Sequence, residues 1–146
     1  MKVQLEIDPN CKETQIIIRT NELTEEINEL IQRTSASSTK MLAGFVADEV
    51  QLIDTAKIIR IYAADKKVFA QTQKDEYIIR MPLYKLEERL DQALFVRISQ
   101  SEIVNLKAIK KMDLSFTGTI AMTLSTGITT YVSRRYVSKI KKILGI

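Results

Sequence analysis

Apolar residues follow a strand-like pattern at the start of the chain. Val3, Leu5 and Ile7 alternate with polar residues, and the segment Gln15–Arg19 contains three consecutive isoleucines. Alternation with a period of two and clusters of β-branched residues both predict strands. A proline-asparagine pair separates the two segments and favours a turn. Two short strands are therefore expected in this part of the chain.

Helical spacing replaces alternation after residue 21. Asn21 is placed to cap a helix with an acidic first turn, and the polar stretch 34–39 predicts a linker after it. The apolar positions of this helix are Leu23, Ile27, Leu30 and Ile31. Because about forty residues cannot bury a large core alone, we expect the helix to dock on the rest of the chain. Alternatively, its acidic side binds a partner or a second copy.

From residue 41 onwards the pattern predicts mainly short strands separated by polar turns. The strand segments are 41–46, 50–53, 57–62, 67–73, 76–80 and 95–98, with a further apolar run at 103–104. Pro82 opens a short helix with a leucine seam, and a basic amphipathic helix that stops at Gly145 closes the chain. The predicted fold is mainly β (α+β overall). It is a β-sandwich of small sheets with short helices over residues 41–146, preceded by a ββα extension over residues 1–40.

Composition removes several classes of function. The 146 residues include no histidine, one cysteine and four glycines. Catalysis that uses a histidine base, histidine-ligated or cysteine-rich zinc sites and an internal disulfide framework are therefore excluded. Neither a GxxxxGK[ST] nor a GxGxxG string occurs, so we expect no enzyme activity, no cofactor and no small-molecule substrate. No apolar run suits a membrane helix or a signal peptide, which predicts a cytoplasmic protein.

Charge is distributed unevenly along the chain. The formal net charge is +4, but residues 92–146 hold nine basic and two acidic side chains, whereas residues 1–40 hold five basic and seven acidic ones. A positive field concentrated in the last third of a chain points to a polyanionic partner. The alternative is a solvated basic face that only aids solubility.

Three sequence blocks carry a resemblance to a known family. They are Ile58–Tyr62 with Lys66–Val68, Phe95–Asn105 (FVRISQSEIVN), and Tyr131–Tyr136 (YVSRRY) running into Lys139-Ile140. In this order they resemble the LytTR family of DNA-binding domains, found in bacterial transcription regulators, over residues 42–146. The chain departs from the family pattern at Ser99, where the signature has histidine.

The resemblance implies an elongated fold of stacked small sheets in which loops, rather than a recognition helix, enter successive major grooves of DNA. Side chains in such loops could contact bases or phosphates by ordinary hydrogen bonding. Arg135 is the strongest candidate for a guanine contact, and Gln100 is a candidate for adenine. Asn105 is expected to be a buried structural amide instead. The candidate DNA-binding residues are Lys66, Lys67, Ser99, Gln100, Ser101, Ser133, Arg134, Arg135 and Lys139.

The resemblance extends to a class of regulator and its partners. Forty residues are too few for a receiver domain, so the chain resembles a stand-alone regulator that lacks the phosphate-accepting part of a response regulator. Implied partners are double-stranded promoter DNA with repeated sites, a second copy on DNA, and an inhibitory membrane protein. Two other functions are open: a protein-interaction module or antagonist that keeps the fold without binding DNA, and an RNA-binding protein. The sequence lacks the RNP1-like aromatic string that would favour RNA binding.

Overall fold

The chain divides into two compact units, Met1–Ser37 and Ser38–Ile146. The computed structural model describes residues 1–35 and 40–146. The linker predicted at 34–39 is wrong at residues 34 and 35, which belong to the first helix, and residues 36–39 lie outside the described residues. Among the described residues, no helix is long and apolar enough to cross a membrane.

The described residues of the first unit, 1–35, form one helix, α1 (Glu25–Ser35). The prediction of two strands before it is wrong, because the described residues ahead of α1 form no strand. Alternating side chains form a strand only where another backbone pairs with it, and Leu5 is 84% exposed without such a partner in the described residues. The predicted cap also differs: the Thr24 hydroxyl, not Asn21, accepts a hydrogen bond from the Ile27 amide at 3.3 Å.

Residues 40–146 of the second unit form ten strands, two α-helices and two short 3-10 helices, Thr55–Lys57 and Leu106–Ala108. The strands are β1 (Met41–Val46), β2 (Glu49–Asp54), β3 (Arg60–Ala64), β4 (Lys67–Gln71), β5 (Glu76–Ile79), β6 (Phe95–Ser99), β7 (Glu102–Asn105), β8 (Ile109–Asp113), β9 (Ile120–Leu124) and β10 (Thr129–Val132). The helices are α2 (Leu83–Arg89), whose cap is Pro82, and α3 (Arg134–Leu144), which ends at Gly145 in the left-handed conformation. The prediction of a mainly β fold is confirmed.

Within the described residues, all strand pairs are antiparallel and form two sheets. Seven strands lie in the order β2-β1-β5-β4-β3-β7-β6, and three lie in the order β10-β9-β8. Turn residues at the strand junctions account for the hairpins. Ala47 between β1 and β2, and Asp65 and Lys66 between β3 and β4, all have positive φ angles, as tight hairpin turns require.

Two hydrophobic clusters cover different parts of the large sheet. The first joins one face of the sheet to α2, with Ile61 and Ile103 from the sheet and Leu86 from the helix fully buried. The second joins β6 and β7 to the small sheet and to Ile140 of α3. The small sheet and α3 therefore lie at the β6 side of the large sheet, which places the start of α3 beside the end of β6.

Asn105 ties these layers together. Its side-chain amide donates to the Ile58 carbonyl at 2.9 Å, and its side-chain oxygen accepts from the Lys107 amide at 2.9 Å. The residue is 3% exposed, so both polar ends need partners inside the protein. The expectation that Asn105 is a structural amide is confirmed.

Candidate nucleic-acid interface

The β3–β4 turn presents two lysines to solvent. Asp65 and Lys66 have φ angles of 51° and 62°, so the chain reverses within two residues and Ala64 pairs directly with Lys67. A left-handed conformation is unfavourable for a lysine, and here the two-residue turn requires it. Both Lys66 and Lys67 are exposed, and a short paired turn limits how far their backbone can move.

The β6–β7 turn is held by an arginine. Arg97 donates from Nε to the Ser99 carbonyl at 2.7 Å and from Nη2 to the Gln100 carbonyl at 2.5 Å. Its Nη1 donates to Oε2 of Glu87 in α2 at 2.9 Å. One planar guanidinium thus fixes two consecutive carbonyls of the turn and anchors them to a helix, in a rigid geometry that a flexible lysine ammonium does not provide.

The serines of this turn bond to each other and leave the glutamine outside. The Ser101 amide donates to Oγ of Ser99 at 3.2 Å, and the two hydroxyls lie 3.3 Å apart. Gln100 is exposed, and its side chain forms no hydrogen bond with the described part of the chain. Ser99 replaces the histidine of the family pattern and acts here within the turn itself.

Two backbone hydrogen bonds bring three loops to one edge of the large sheet. The Ala63 amide donates to the Ser101 carbonyl at 2.8 Å, which joins the β3–β4 end to the β6–β7 turn. The Ser133 amide donates to the Ile98 carbonyl at 2.9 Å, which joins the start of α3 to the end of β6. We call this edge, formed by residues 65–67, 99–101 and 133–135, the loop edge.

The start of α3 is unusually cationic. Its first turn holds Arg134 and Arg135 and no acidic residue, and the Ser133 hydroxyl forms no capping hydrogen bond. Cations at a helix N-terminus oppose the helix dipole, and uncapped amides there attract anions. The two guanidinium groups therefore lie at the loop edge although their position at the helix N-terminus is unfavourable for the stability of α3.

The two adjacent arginines have different surroundings. A Cβ atom added to Gly118, whose φ is +76°, would lie 2.9 Å from Nε of Arg134, so Arg134 rests against the β8–β9 loop. Arg135 is exposed and forms no hydrogen bond or ion pair with the described residues. Lys139 follows Arg135 by one helical turn and is also exposed, so the two cations lie on one face of α3.

The cations of the loop edge are apparent from the sequence, but the residues that position them are not. Arg97 lies in the block FVRISQSEIVN without a predicted role, and no local pattern distinguishes Glu87 or Gly118. An arginine on an otherwise apolar strand, two residues before a polar turn, is a signal that could have identified Arg97. Glu87 and Gly118 are separated from their partners by 10 and 16 positions, and local patterns do not reveal such pairs.

Sequence and structure comparisons relate the chain to known DNA-binding domains and transcriptional regulators. Residues 48–145 match the model of the LytTr DNA-binding domain. An uncharacterized HTH-type transcriptional regulator of Staphylococcus aureus strain NCTC 8325 is 34% identical over 147 residues, covering 100% of this chain and 99% of that protein. A similarly described protein of strain MRSA252 is 33% identical with the same coverage. A LytTr DNA-binding domain from Bacillus cereus shares the fold, with a TM-score of 0.72, 24% identity, and coverage of 75% of this chain and 100% of that chain.

These matches and the fold define the class as a DNA-binding domain built from β-sheets. The chain belongs to the LytTR family of DNA-binding domains, and the resemblance noted in the sequence is confirmed. This is a family of DNA-binding domains rather than of enzymes. Although the relatives are described as HTH-type, strands separate each helix from the next among the described residues of this chain.

Proposed function

We propose that the protein is a sequence-specific, DNA-binding regulator of transcription whose loop edge enters successive major grooves. The observation that carries this proposal is the pair of backbone hydrogen bonds, Ala63 to Ser101 and Ser133 to Ile98, which gathers three separate polar loops at one edge. Membership of a family of DNA-binding domains and relatives described as transcriptional regulators support it. Such a regulator would act in the bacterial cytoplasm, where the DNA lies.

The side chains of the loop edge divide by their chemistry into base readers and phosphate contacts. Arg135 can donate two parallel hydrogen bonds to guanine O6 and N7, and Gln100 can pair with adenine N6 and N7. Lys66, Lys67 and Lys139 can contact phosphates as flexible cations. Arg134 rests on the β8–β9 loop, and we assign it a phosphate contact within this proposal. The hydroxyls of Ser99, Ser101 and Ser133 are additional phosphate donors.

Selection from random-sequence duplexes tests the proposal directly. One duplex sequence should be enriched and bind at least about a thousandfold more tightly than unrelated duplex, and more tightly than single-stranded RNA. The logarithm of the binding constant should fall with the logarithm of salt concentration by about 0.9 per phosphate neutralised. Failure to enrich any duplex would favour a protein-interaction module that keeps the fold without reading DNA.

Regulation is a further part of the proposal. We propose that copies of the chain occupy repeated promoter sites and that a membrane protein holds the regulator in check, as the family resemblance implies. Since control by a protein partner needs no phosphate transfer to the chain, treatment with a small phosphodonor should leave the DNA affinity unchanged. A change in affinity after such treatment would argue against control by a protein partner.

A further inference from the structure

The outer edge of β2 is open and regular. β2 is the end strand of the large sheet, and its six residues pair with β1 without a bulge. Its outer side has no sheet partner among residues 1–35 and 40–146. An unpaired strand edge presents a row of amide and carbonyl groups that can pair with another strand.

The register of the β1–β2 hairpin identifies the backbone groups that face outward. The Thr55 amide, directly after β2, donates to the Lys40 carbonyl at 3.0 Å. Hydrogen-bonded and non-hydrogen-bonded pairs alternate along an antiparallel ladder, so every second residue of β2 counted back from Thr55 bonds to β1. The residues between them do not, and the amide and carbonyl groups of Val50 and Leu52 therefore point to the open side.

The other sheet edges carry protective features that β2 lacks. β8 has Lys110 and Lys111 and an irregular register with β9. At the end of β6 the Ile98 carbonyl accepts from the Ser133 amide, and β10 is only four residues long. Lysines, irregular pairing, a covering segment and short length all discourage pairing between molecules. Among the described edge strands, β2 is thus the one best suited to accept another strand.

The face of the sheet beside this edge is apolar. Val50 and Leu52 share that face, and they are 57% and 72% exposed. Val50 pairs with Phe45 of β1, which in turn pairs with Ile78 of β5. Residues opposite each other on antiparallel strands share a face, so an apolar row runs outward and stops at the edge. A strand added at β2 continues this row if it presents apolar side chains of its own.

Acidic residues bracket the two apolar ones. Asp48 and Glu49 lie at one end of β2 and Asp54 at the other, and residues 48–54 include no basic residue. All three carboxylates are exposed, and none forms an ion pair with the described part of the chain. Opposite charges on facing strands stabilise a pair and like charges destabilise it. The edge therefore disfavours a second acidic strand and favours a basic one.

We propose that the β2 edge binds an extended segment of another protein, in which two apolar residues at alternate positions are flanked by basic residues. The segment pairs antiparallel with β2. Its apolar residues lie opposite Leu52 and Val50, and its basic residues lie opposite Asp54 and Asp48. Its backbone exchanges hydrogen bonds with the outward groups of Val50 and Leu52, as extended peptides do at exposed sheet edges.

The segment binds without covering the loop edge. Three strands, β1, β5 and β4, separate β2 from β3, so β3 lies about 19 Å away at the usual spacing of strands. The β2 edge is therefore a surface by which a second protein attaches while the loop edge stays accessible. This inference goes beyond the proposed function, and its tests use no DNA.

A synthetic peptide tests the pairing on the full-length chain. The probe is Lys-Thr-Val-Thr-Val-Thr-Lys with blocked ends, whose lysines and valines share one face when it is extended. In NMR spectra its binding should protect the amides of Val50 and Leu52 from exchange with water, whereas those of Gln51 and Ile53 are already protected by β1. Absence of binding, or binding without this protection, would overturn the proposal. Protection of Val50 and Leu52 before the peptide is added would also overturn it, because the chain itself or a second copy then occupies the edge.

Altered peptides test the backbone and the charges separately. Methylation of both valine nitrogens removes the donors that face β2 and should weaken binding at least about tenfold. Methylation of the central threonine nitrogen, which points away from β2, is the control and should change little. Replacement of both lysines by glutamates should weaken binding about tenfold, since like charges then face each other. Equal binding of the valine-methylated peptide, or of the glutamate peptide, would contradict the proposal.

Protein variants locate the site. Leu52→Lys should abolish binding of the lysine peptide, whereas Leu114→Lys, at a 51% exposed position after β8, should bind as the natural chain does. Glu49→Lys should weaken binding of the lysine peptide and strengthen that of the glutamate peptide. Circular dichroism should be unchanged for all three variants, since the side chains are exposed. Undiminished binding by Leu52→Lys, or no gain for the glutamate peptide with Glu49→Lys, would overturn the assignment of a basic strand to this edge.

Discussion

Arg97 of β6 and Glu87 of α2 are joined by a hydrogen-bonded ion pair of 2.9 Å between Nη1 and Oε2. The same guanidinium donates to the carbonyls of Ser99 and Gln100. The ion pair therefore connects α2, which packs in the first hydrophobic cluster, to the β6–β7 turn of the loop edge. Arg97 itself is largely buried, with 13% of its side chain exposed, whereas Glu87 is 38% exposed. The bonds to the turn should therefore matter more than the partly solvated ion pair.

We predict that Arg97→Lys weakens specific DNA binding more than Glu87→Gln does. Lysine lacks the planar fork of donors that holds both carbonyls and Glu87 in a fixed geometry, and losing hydrogen bonds to a charged group should lower the free energy of unfolding by about 1–3 kcal/mol. Glu87→Gln breaks a partly exposed pair, for which about 0–1 kcal/mol is typical. Denaturant unfolding and titration with specific and unrelated duplexes measure the two effects. Equal losses in both variants would show that the turn does not depend on the bridged carbonyls.

We predict that Arg135 and Lys142 differ in what they contribute to DNA binding. Arg135→Ala should lower the affinity for the selected site by about 1–3 kcal/mol and relax the preference at one base position. Lys142→Ala should weaken all duplexes about equally and reduce the salt slope by about one. Competition titrations at several salt concentrations measure both quantities, and thermal melting must be unchanged. Identical behaviour of the two variants would show that Arg135 reads no base.

Sequence patterns predicted most strands and the cations of the loop edge because these features are local. The β1–β2 hairpin, the β3–β4 turn and both helices of the second unit follow from alternation, turn residues and helical spacing within a few positions. The two strands expected before α1 fail for a related reason: alternation records a tendency to pair but not whether a partner strand exists. Val3 and Leu5 have the pattern, and in the described residues they have no ladder.

The arrangement of the site could not be predicted because it depends on contacts between distant segments. Ala63 meets Ser101, and Ile98 meets Ser133, through hydrogen bonds that span more than thirty positions. Sequence neighbours also proved unequal. Arg134 and Arg135 are the same residue type at adjacent positions, but only the first lies against Gly118, and that difference follows from where the β8–β9 loop passes.

We predict that alanine at Gly118 is more destabilising than alanine at Gly127. Both glycines have positive φ angles, +76° and +86°, so alanine is strained at each by about 1–2 kcal/mol. At Gly118 the new methyl group also meets Nε of Arg134 at 2.9 Å, whereas nothing lies within 4 Å at Gly127. Denaturant unfolding measures the difference. Arg134→Ala combined with Gly118→Ala should remove only the excess over Gly127→Ala, and an unchanged excess would contradict the contact.

We predict that the amide nitrogen of Asn105 matters for stability. Asn105→Asp keeps one oxygen that accepts from the Lys107 amide. The second carboxylate oxygen replaces the amide nitrogen, so it faces the Ile58 carbonyl, which then loses its donor. An unsatisfied buried polar group typically costs about 1–3 kcal/mol, and the free energy of unfolding should fall by at least that amount. Asn28→Asp, an exposed position on α1, is the control and should change little. Equal stability of the two variants would mean that the Ile58 carbonyl finds another donor.

The last prediction concerns Tyr62 at alkaline pH. Burial, followed by a hydrogen bond to the Glu76 carboxylate and the charge of that carboxylate, raises the pKa of Tyr62 from 10.0 to about 12. The unfolded chain loses this proton first, so the stabilising effect is complete below pH 10 and is lost as the pH rises from about 10 to about 12. Glu76→Gln should lower the pKa of Tyr62 while leaving it above 10, because burial remains.

The titration of Tyr62 is measured as a difference. The ultraviolet titration curve of Tyr62→Phe is subtracted from that of the natural protein, which isolates this phenol from the other four tyrosines. Denaturant unfolding of the same two proteins isolates the share of Tyr62 in the pH dependence of stability. A difference titration centred at pH 10 would show that neither burial nor Glu76 acts on Tyr62.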